Sequence, residues 1–211
     1  MPTFHGDGPL SVVGIPGSLR DPSYTRFTVR LALAGAEEAG ARTHLADLRE
    51  YELPYCDGSQ EQGEVGDVAK LREEVREAEG IVLGTPEYHG GYSGVLKNAL
   101  DLMGFDEFEG KMIGLVGVSG GRMGGFGAMN ALREVGRALH AWVVPTQTSI
   151  PKAWSVYDDE TGEIDDEELG QRVREVGEEV VRYANLHEAE DKLDFLRTWE
   201  CATENPGAEA R

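Results

Sequence analysis

Three short segments of this chain concentrate residue types that bind charged or planar ligands. The first, Gly17-Ser-Leu-Arg-Asp-Pro-Ser-Tyr-Thr-Arg26, sets a glycine turn, the hydroxyls of Ser18, Ser23 and Thr25 and the Arg20 guanidinium ahead of a helical pattern. A helix start offers unpaired N–H groups and the positive end of its dipole, so a phosphomonoester is the natural guest there. Arginine adds forked donors that match phosphate oxygens. Serine and threonine also cap helices without any ligand, and on this segment alone both readings stand.

The second segment is Thr85-Pro-Glu-Tyr-His-Gly-Gly-Tyr-Ser-Gly94, followed by Val95-Leu-Lys-Asn-Ala-Leu-Asp101. Two aromatic rings, an imidazole and bare glycine backbone let a planar ring approach the main chain and stack. Taken alone, His89 reads as a solvent-facing or capping histidine. Glu87, Lys97 and Asp101 read as ion pairs holding the loop or an interface rather than as acid–base catalysts. The third segment, Ser119-Gly-Gly-Arg-Met-Gly-Gly-Phe-Gly127, is too rich in glycine for a mere connection. Each glycine costs folding entropy unless backbone has to come close to something.

The elements that must position these segments alternate strictly. Leu10–Ile15 is a short apolar, β-branched run that ends at Pro16-Gly17 and predicts a buried strand. Tyr24–Ala39 carries Phe27, Leu31, Ala34 and Glu38 at helical spacing and is closed by Gly40. Ala41–Leu48 predicts a second strand, Tyr51–Gly66 a loop, Asp67–Ala78 a charged helix and Gly80–Gly84 a third strand. A helix over Tyr92–Met103, a strand over Met112–Val118, a helix over Met129–Leu139 and a fifth strand over Ala141–Thr146 follow. Strands apolar on both faces, alternating with helices, predict a doubly wound α/β fold with a parallel sheet covered on each side. In such a sheet ligands bind beyond the carboxyl ends of strands where the strand order reverses, and all three segments leave strands at that edge.

Beyond the fifth strand, Asp165 with Glu168 three residues on predicts a helix start. One or two helices are expected as far as about Glu200, the last bearing an apolar stripe of Leu186, Leu193, Leu196 and Trp199. The expected organisation is a flexible leader over residues 1–9, one ligand-binding domain over 10–185 and a C-terminal helix and tail over 186–211.

Composition excludes several partners. The 211 residues carry 39 Asp and Glu against 20 Lys and Arg, a net charge of −19, and such a surface repels nucleic-acid backbones and anionic membranes. Lysine occurs only five times against fifteen arginines. High acid with little lysine predicts adaptation to salt, because screening removes the self-repulsion of a surface charged to this degree. Cys56 and Cys201 form no CxxC or Cys/His cluster, so neither a structural metal nor a disulfide framework is indicated. No apolar run approaches membrane-spanning length and the start lacks a basic-then-apolar leader, which predicts the cytoplasm.

The three segments, in this order and spacing, resemble the NADPH-dependent FMN reductases, a group with azoreductase-, quinone- and chromate-reductase-like members. The GSLRxxS element, PEYHGGYSGVLKNALD and SGGRMGG carry the resemblance, which covers about Leu10 to Gln171. It implies a flavodoxin-like three-layer sandwich with a five-stranded parallel sheet in the order 2-1-3-4-5. It also implies an oxidoreductase that passes hydride from NADPH or NADH through FMN to a small oxidant: free flavin, a quinone, an azo compound or a metal oxyanion. Ser18, Arg20, Ser23 and Thr25 would hold the FMN phosphate. Pro86, Glu87, Tyr88, His89 and Gly90 would line the isoalloxazine, largely through backbone, with Ser119, Gly120 and Gly121 closing its other side. No side chain is implied as catalytic, since the flavin N5 carries the chemistry, and no metal is implied. Members are commonly homodimers or homotetramers with the flavin near a subunit boundary, which would set Tyr92, Phe105 and Phe108 toward a neighbour's flavin. The family more often has asparagine at the position of His89 and proline at that of Ser93.

Two other classes share parts of this pattern. A flavodoxin-like electron carrier would show a T-x-T-G-x-T phosphate loop, where this chain has Gly17-Ser-Leu-Arg20. A flavin-binding sensor or assembly subunit would bind FMN without turnover. A Rossmann dehydrogenase would need G-x-G-x-x-G after the first strand, which Gly14-Ile-Pro-Gly-Ser-Leu lacks.

Overall fold

The computed structural model describes residues 8–59 and 61–188. Five strands, β1 (Ser11–Pro16), β2 (Arg42–Leu45), β3 (Gly80–Pro86), β4 (Met112–Val118) and β5 (Trp142–Ile150), form one sheet in the order β2-β1-β3-β4-β5. Every neighbouring pair is parallel. Among the described residues six α-helices connect or cover them: α1 (Tyr24–Glu38), α2 (Val68–Arg76), α3 (Gly94–Asp101), the single turn α4 (Phe105–Phe108), α5 (Phe126–Ala138) and α6 (Glu167–Glu188). No described helix is long and apolar enough to cross a membrane.

Strand periodicity sorts the core into two layers. Val12, Val82 and Val116 point to the face covered by α1 and α6, where they meet Val29, Ala32, Val176 and Val180. Val13, Ile15, Ile81, Leu83 and Leu115 point to the other face, against Leu71 of α2, Leu96 of α3 and Met129 and Leu132 of α5. Each of these buried side chains other than Ala32 contributes about 1.5–3 kcal/mol from the apolar surface it removes from water.

The expected strands, and the expected helices as far as residue 188, are present, but their burial differs in instructive ways. Only β1, β3 and β4 are apolar on both faces. The edge strands are less buried: β2 alternates exposed and half-buried residues, and β5 exposes Trp142 and Pro145, because the covering helices bury the middle of the sheet more fully than its edges. The fifth strand does not stop at Thr146. Pro145 lacks an N–H, the register skips between Val143 and Gln147, and the strand then runs on to Ile150. The Arg133 guanidinium spans the irregularity, donating to Val144 O, Pro145 O and Gln147 Oε1 at 2.9–3.0 Å.

The face of α1 read from Phe27, Leu31, Ala34 and Glu38 is its flank. Its fully buried residues include Thr28, Val29, Ala32 and Ala36, since the helix is covered by the sheet on one side and by α6 on another. Where the helices cross, a Cβ at Gly35 would strike the main chain of Arg174. The start of α6 is capped by Asp166, not Asp165: Asp166 Oδ1 accepts from Leu169 N at 3.0 Å and its carbonyl from Gly170 N at 2.8 Å. The expected division between residues 185 and 186 falls inside α6. The leader as far as residue 7, the stripe residues Leu193, Leu196 and Trp199, and Cys201 lie outside the described residues, while Leu186 is exposed.

Candidate cofactor site

Strand order reverses between β1 and β3, and the chain leaves β1, β3 and β4 on that edge through all three segments. The first two loops are stitched together by a buried hydroxyl pair. Ser93 Oγ donates to Gly17 O at 2.6 Å and accepts from Leu96 N at 3.1 Å, so one side chain caps α3 and anchors the first loop. Ser93 N donates in turn to Thr85 Oγ1 at 3.1 Å. Replacing Ser93 with alanine removes a cap and strands the Gly17 carbonyl. A loss of about 1–3 kcal/mol is expected, read as a fall in Tm on the order of 5 °C. An unchanged Tm would remove this staple from the account.

The first loop then runs over the start of α1. Ser23 is the N-cap, its Oγ accepting from Arg26 N at 3.3 Å, which leaves the earlier N–H groups of Tyr24 and Thr25 without an intrahelical partner. Ser18, Ser23 and Thr25 are buried and Arg20 is exposed. Among the described residues Arg20 forms hydrogen bonds only through its main chain: its N–H to Ser18 Oγ at 3.3 Å and its carbonyl from Arg26 Nη2 at 3.3 Å. Its guanidinium is free.

Beneath this loop lies an ion-pair network. Arg26 Nε and Asp47 Oδ2 meet at 2.7 Å with both side chains 3 % exposed, and Arg49 reaches Asp47 at 3.1 Å and Asp21 at 3.2 Å. Burial by itself would raise the Asp47 carboxyl, but hydrogen bonds from Arg49 and the charges of Arg26 and Arg49 outweigh it and hold the group below its ordinary range. Beside the loop, Tyr24 stacks on Tyr157 with ring centroids 5.9 Å apart and donates to Asp159 Oδ1 at 2.6 Å. That bond, with burial and the Asp159 charge, raises the Tyr24 hydroxyl above its usual value.

In the second loop Tyr88 and Gly91 exchange both backbone hydrogen bonds, at 3.0 and 3.1 Å, around His89 (φ 53°) and Gly90 (φ 81°). Two left-handed residues in succession make the tight hairpin turn that favours Asn-Gly. His89 therefore occupies a position set by backbone conformation, which asparagine also tolerates. The Glu87 carboxylate accepts from Ala128 N at 3.1 Å, capping α5, so Glu87 serves the loop with its side chain and faces the edge with its backbone. Lys97 and Asp101 form the expected ion pair at 2.6 Å.

The glycines of the third loop divide between two duties. Gly124 and Gly125, both at positive φ, lie against β4 and the end of β5: a Cβ on Gly125 would sit 2.9 Å from Gly117 C and Val118 N. Much of the glycine richness thus serves packing of the loop on the sheet. Gly120 differs, because a Cβ there would meet nothing within 4 Å.

Together the loops enclose a cavity of about 270 Å³. Ser18, Arg20, Ser23, Thr25, Pro86, Glu87, Tyr88, Ser119 and Gly120 line it. His89, Gly90 and Gly121 are not in its lining; the first two shape the turn, and Gly121 donates to Ser119 Oγ at 2.9 Å. Pro22, Tyr24, Val118, Ala153 and Trp154 also contribute walls, beyond the expected ligand residues. Tyr24 stood within the first segment. Trp154 follows a fourth strand exit, Pro151-Lys-Ala-Trp, concealed by ending β5 at Thr146. Phe108 does not face outward toward a neighbour: it is fully buried in the core, whereas Phe105 is half-exposed and stacks on His140 at 4.4 Å.

The donor set suits a phosphorylated planar ligand. A guanidinium, buried hydroxyls and open helix N–H groups share the lining with aromatic side chains and with the unfilled space at Gly120. The family description for NADPH-dependent FMN reductase matches residues 10–155. An NADPH azoreductase of a Bacillus strain is 40 % identical over 119 residues, 56 % of this chain and 66 % of that enzyme, just under two thirds of its length. An FMN-dependent NADPH-azoreductase of Staphylococcus haemolyticus is 32 % identical over 81 % of this chain and 93 % of its own. Among solved structures, a flavoenzyme NAD(P)H:(acceptor) oxidoreductase from Paracoccus denitrificans superimposes with a TM-score of 0.66 at 22 % identity, covering 84 % of this chain and 98 % of that one. An archaeal flavodoxin does so at 0.58 and 14 %, covering 83 % and 98 %, which speaks for the fold alone. The chain belongs to the NADPH-dependent FMN reductases, flavodoxin-like oxidoreductases that work with FMN and NADPH.

Proposed function

We propose that the cavity at the order reversal is the FMN site. Ser18, Arg20, Ser23 and Thr25, with the first N–H groups of α1, take the phosphate. Pro86, Glu87 and Tyr88 line one side of the ring system, on the turn that His89 and Gly90 shape. Ser119 and Gly120, with Gly121 behind them, close the other side. The observation that carries this reading is the convergence of three strand exits on one cavity that holds both the free Arg20 guanidinium and the open Gly120 backbone.

Bound FMN supplies two-electron exchange between a nicotinamide and an oxidant. The protein contributes placement and charge. Arg20 and the start of α1 offset locally the negative field of a chain carrying −19, and backbone N–H groups of the third loop favour negative charge on the ring edge. Tyr88 and Trp154, 48 % and 62 % exposed, leave the cavity mouth open to planar partners. The acceptor we propose is a small aromatic oxidant such as an azo compound or quinone, in line with the azoreductases the chain resembles. A homodimer or homotetramer is proposed on the exposure of Tyr88, Met123 and Phe126 on the second and third loops.

The test is a visible spectrum of the purified protein with added FMN, followed by anaerobic titration with NADPH and NADH. Flavin absorbance that stays with the protein and bleaches on addition of nicotinamide is expected. A protein that binds no FMN overturns the reading, and one that binds FMN but never bleaches turns it toward a non-turnover flavin protein.

A further inference from the structure

Three consecutive carbonyls of the third loop are taken up by three consecutive residues after β5. Ala153 N donates to Ser119 O at 3.1 Å, Lys152 N to Gly121 O at 2.9 Å and Trp154 Nε1 to Gly120 O at 3.4 Å. In a trans peptide the C=O and the following N–H point in opposite directions. Holding Ser119 O toward Ala153 therefore turns the Gly120 N–H away from that turn. Holding Gly120 O toward Trp154 does the same for the Gly121 N–H, which meets Ser119 Oγ at 2.9 Å. The Gly120 N–H has no hydrogen-bond partner among the described residues, and Gly120 lines the cavity.

Backbone strain marks the same turn. Lys152 is exposed and has φ 46°, a left-handed conformation that costs a non-glycine residue and persists only where surroundings hold it. Among the described residues the lysine side chain makes no bond that would require it there. What the conformation does provide is the aim of the Lys152 and Ala153 N–H groups at the loop carbonyls.

We propose that Lys152–Trp154 is a positioning element for the cofactor: it fixes the carbonyls of Ser119–Gly121 so that the Gly120 N–H is presented to an acceptor atom on bound FMN. The inference rests on the FMN reading above and adds to it the residues that orient the loop.

The experiment compares Lys152→Val, whose β-branched side chain opposes positive φ, with Lys152→Asn, which keeps the same N–H and tolerates it. Trp154→Phe removes the indole donor and keeps a ring. Four readouts are taken: FMN dissociation constant, midpoint potential of bound FMN, amide exchange at Gly120 with and without FMN, and Tm of the FMN-free protein. Lys152→Val and Trp154→Phe are expected to weaken FMN by about three- to tenfold, the scale of one hydrogen bond, and to shift the potential. They are also expected to lose the protection that FMN confers on the Gly120 amide. Lys152→Asn restores all three. Unchanged affinity and potential in Lys152→Val and Trp154→Phe overturn the proposal, as does a lowered Tm with the potential unmoved. If Lys152→Val fails to fold, Trp154→Phe decides alone. A natural chain that binds no FMN overturns the cofactor reading itself, whereas one that binds FMN while the variants behave like it overturns only the positioning role.

Discussion

Replacing Asp47 with alanine is expected to cost about 3–5 kcal/mol of folding stability and to lower Tm by roughly 6–20 °C. The reason is the partner left behind. Arg26 is 3 % exposed and its Nε meets Asp47 at 2.7 Å, so removing the carboxylate leaves a buried guanidinium whose remaining counter-charge is the exposed Asp21 carboxylate, 3.9 Å away. Arg49 loses its bond to the same carboxylate. The loss extends to the cavity, because Arg26 also holds the Arg20 carbonyl at 3.3 Å and with it the loop that carries the proposed phosphate ligands. FMN affinity should therefore fall even where the variant remains folded.

The pH dependence of the same pair has a definite sign. The Asp47 carboxyl is held below its ordinary range in the folded protein, so the unfolded chain takes up the proton first as pH falls. Its contribution is complete well above the unfolded carboxyl value of about 3.9 and is lost below it. Denaturation of the natural chain and of Asp47→Ala at pH 7 and near pH 3 measures this. The gap between them should be wide at neutral pH and narrow in acid. A variant as stable as the natural chain at pH 7 would show that the network is ornamental.

How far the residues alone reach depends on which interactions define an element. β1, β3 and β4 were legible because continuous apolar runs ending in Gly or Pro have few other meanings, and the three loop segments follow from those ends. The edges were read less well. β5 has an irregular burial pattern, contains Pro145 and crosses a register skip before resuming, and none of these features marks a strand in a short window. Its true end at Ile150 is what carries Trp154 to the cavity. The Arg26–Asp47 pair was invisible for a different reason: two charged residues 21 positions apart become a buried brace only once α1 and the loop after β2 are packed together. Similarly, the motif containing His89 was legible as a flavin-type loop, but its left-handed turn, and hence its preference for Asn or Gly, follows from a backbone angle and not from composition.

Replacing Arg20 with alanine is expected to weaken FMN by about 1.5–3 kcal/mol, or roughly 10- to 150-fold, the scale of hydrogen bonds to a charged group. Among the described residues Arg20 has the one guanidinium that lines the cavity without a side-chain partner, in a chain whose net charge of −19 opposes an anionic ligand. Salt separates these two fields. The repulsion is long-ranged and is screened first, as the screening length drops from about 10 Å at 0.1 M to about 3 Å at 1 M; the contact between guanidinium and phosphate survives longer. For the natural chain FMN affinity should thus rise with added KCl and then decline as the Arg20 contact is itself screened. Arg20→Ala keeps only the weaker attraction of the α1 start against the same repulsion, so its lower affinity should climb to higher salt before any decline. Arg20→Lys, with a point charge in place of the fork, should fall between them. Affinity unchanged in Arg20→Ala would refute the phosphate role, and affinity that only declines with salt in both proteins would show that the surface charge does not reach the site. The proposed adaptation to salt meets the same titration, since a chain tuned to high KCl should also refold best there, whereas maximal refolding in dilute buffer would assign its acidity to solubility alone.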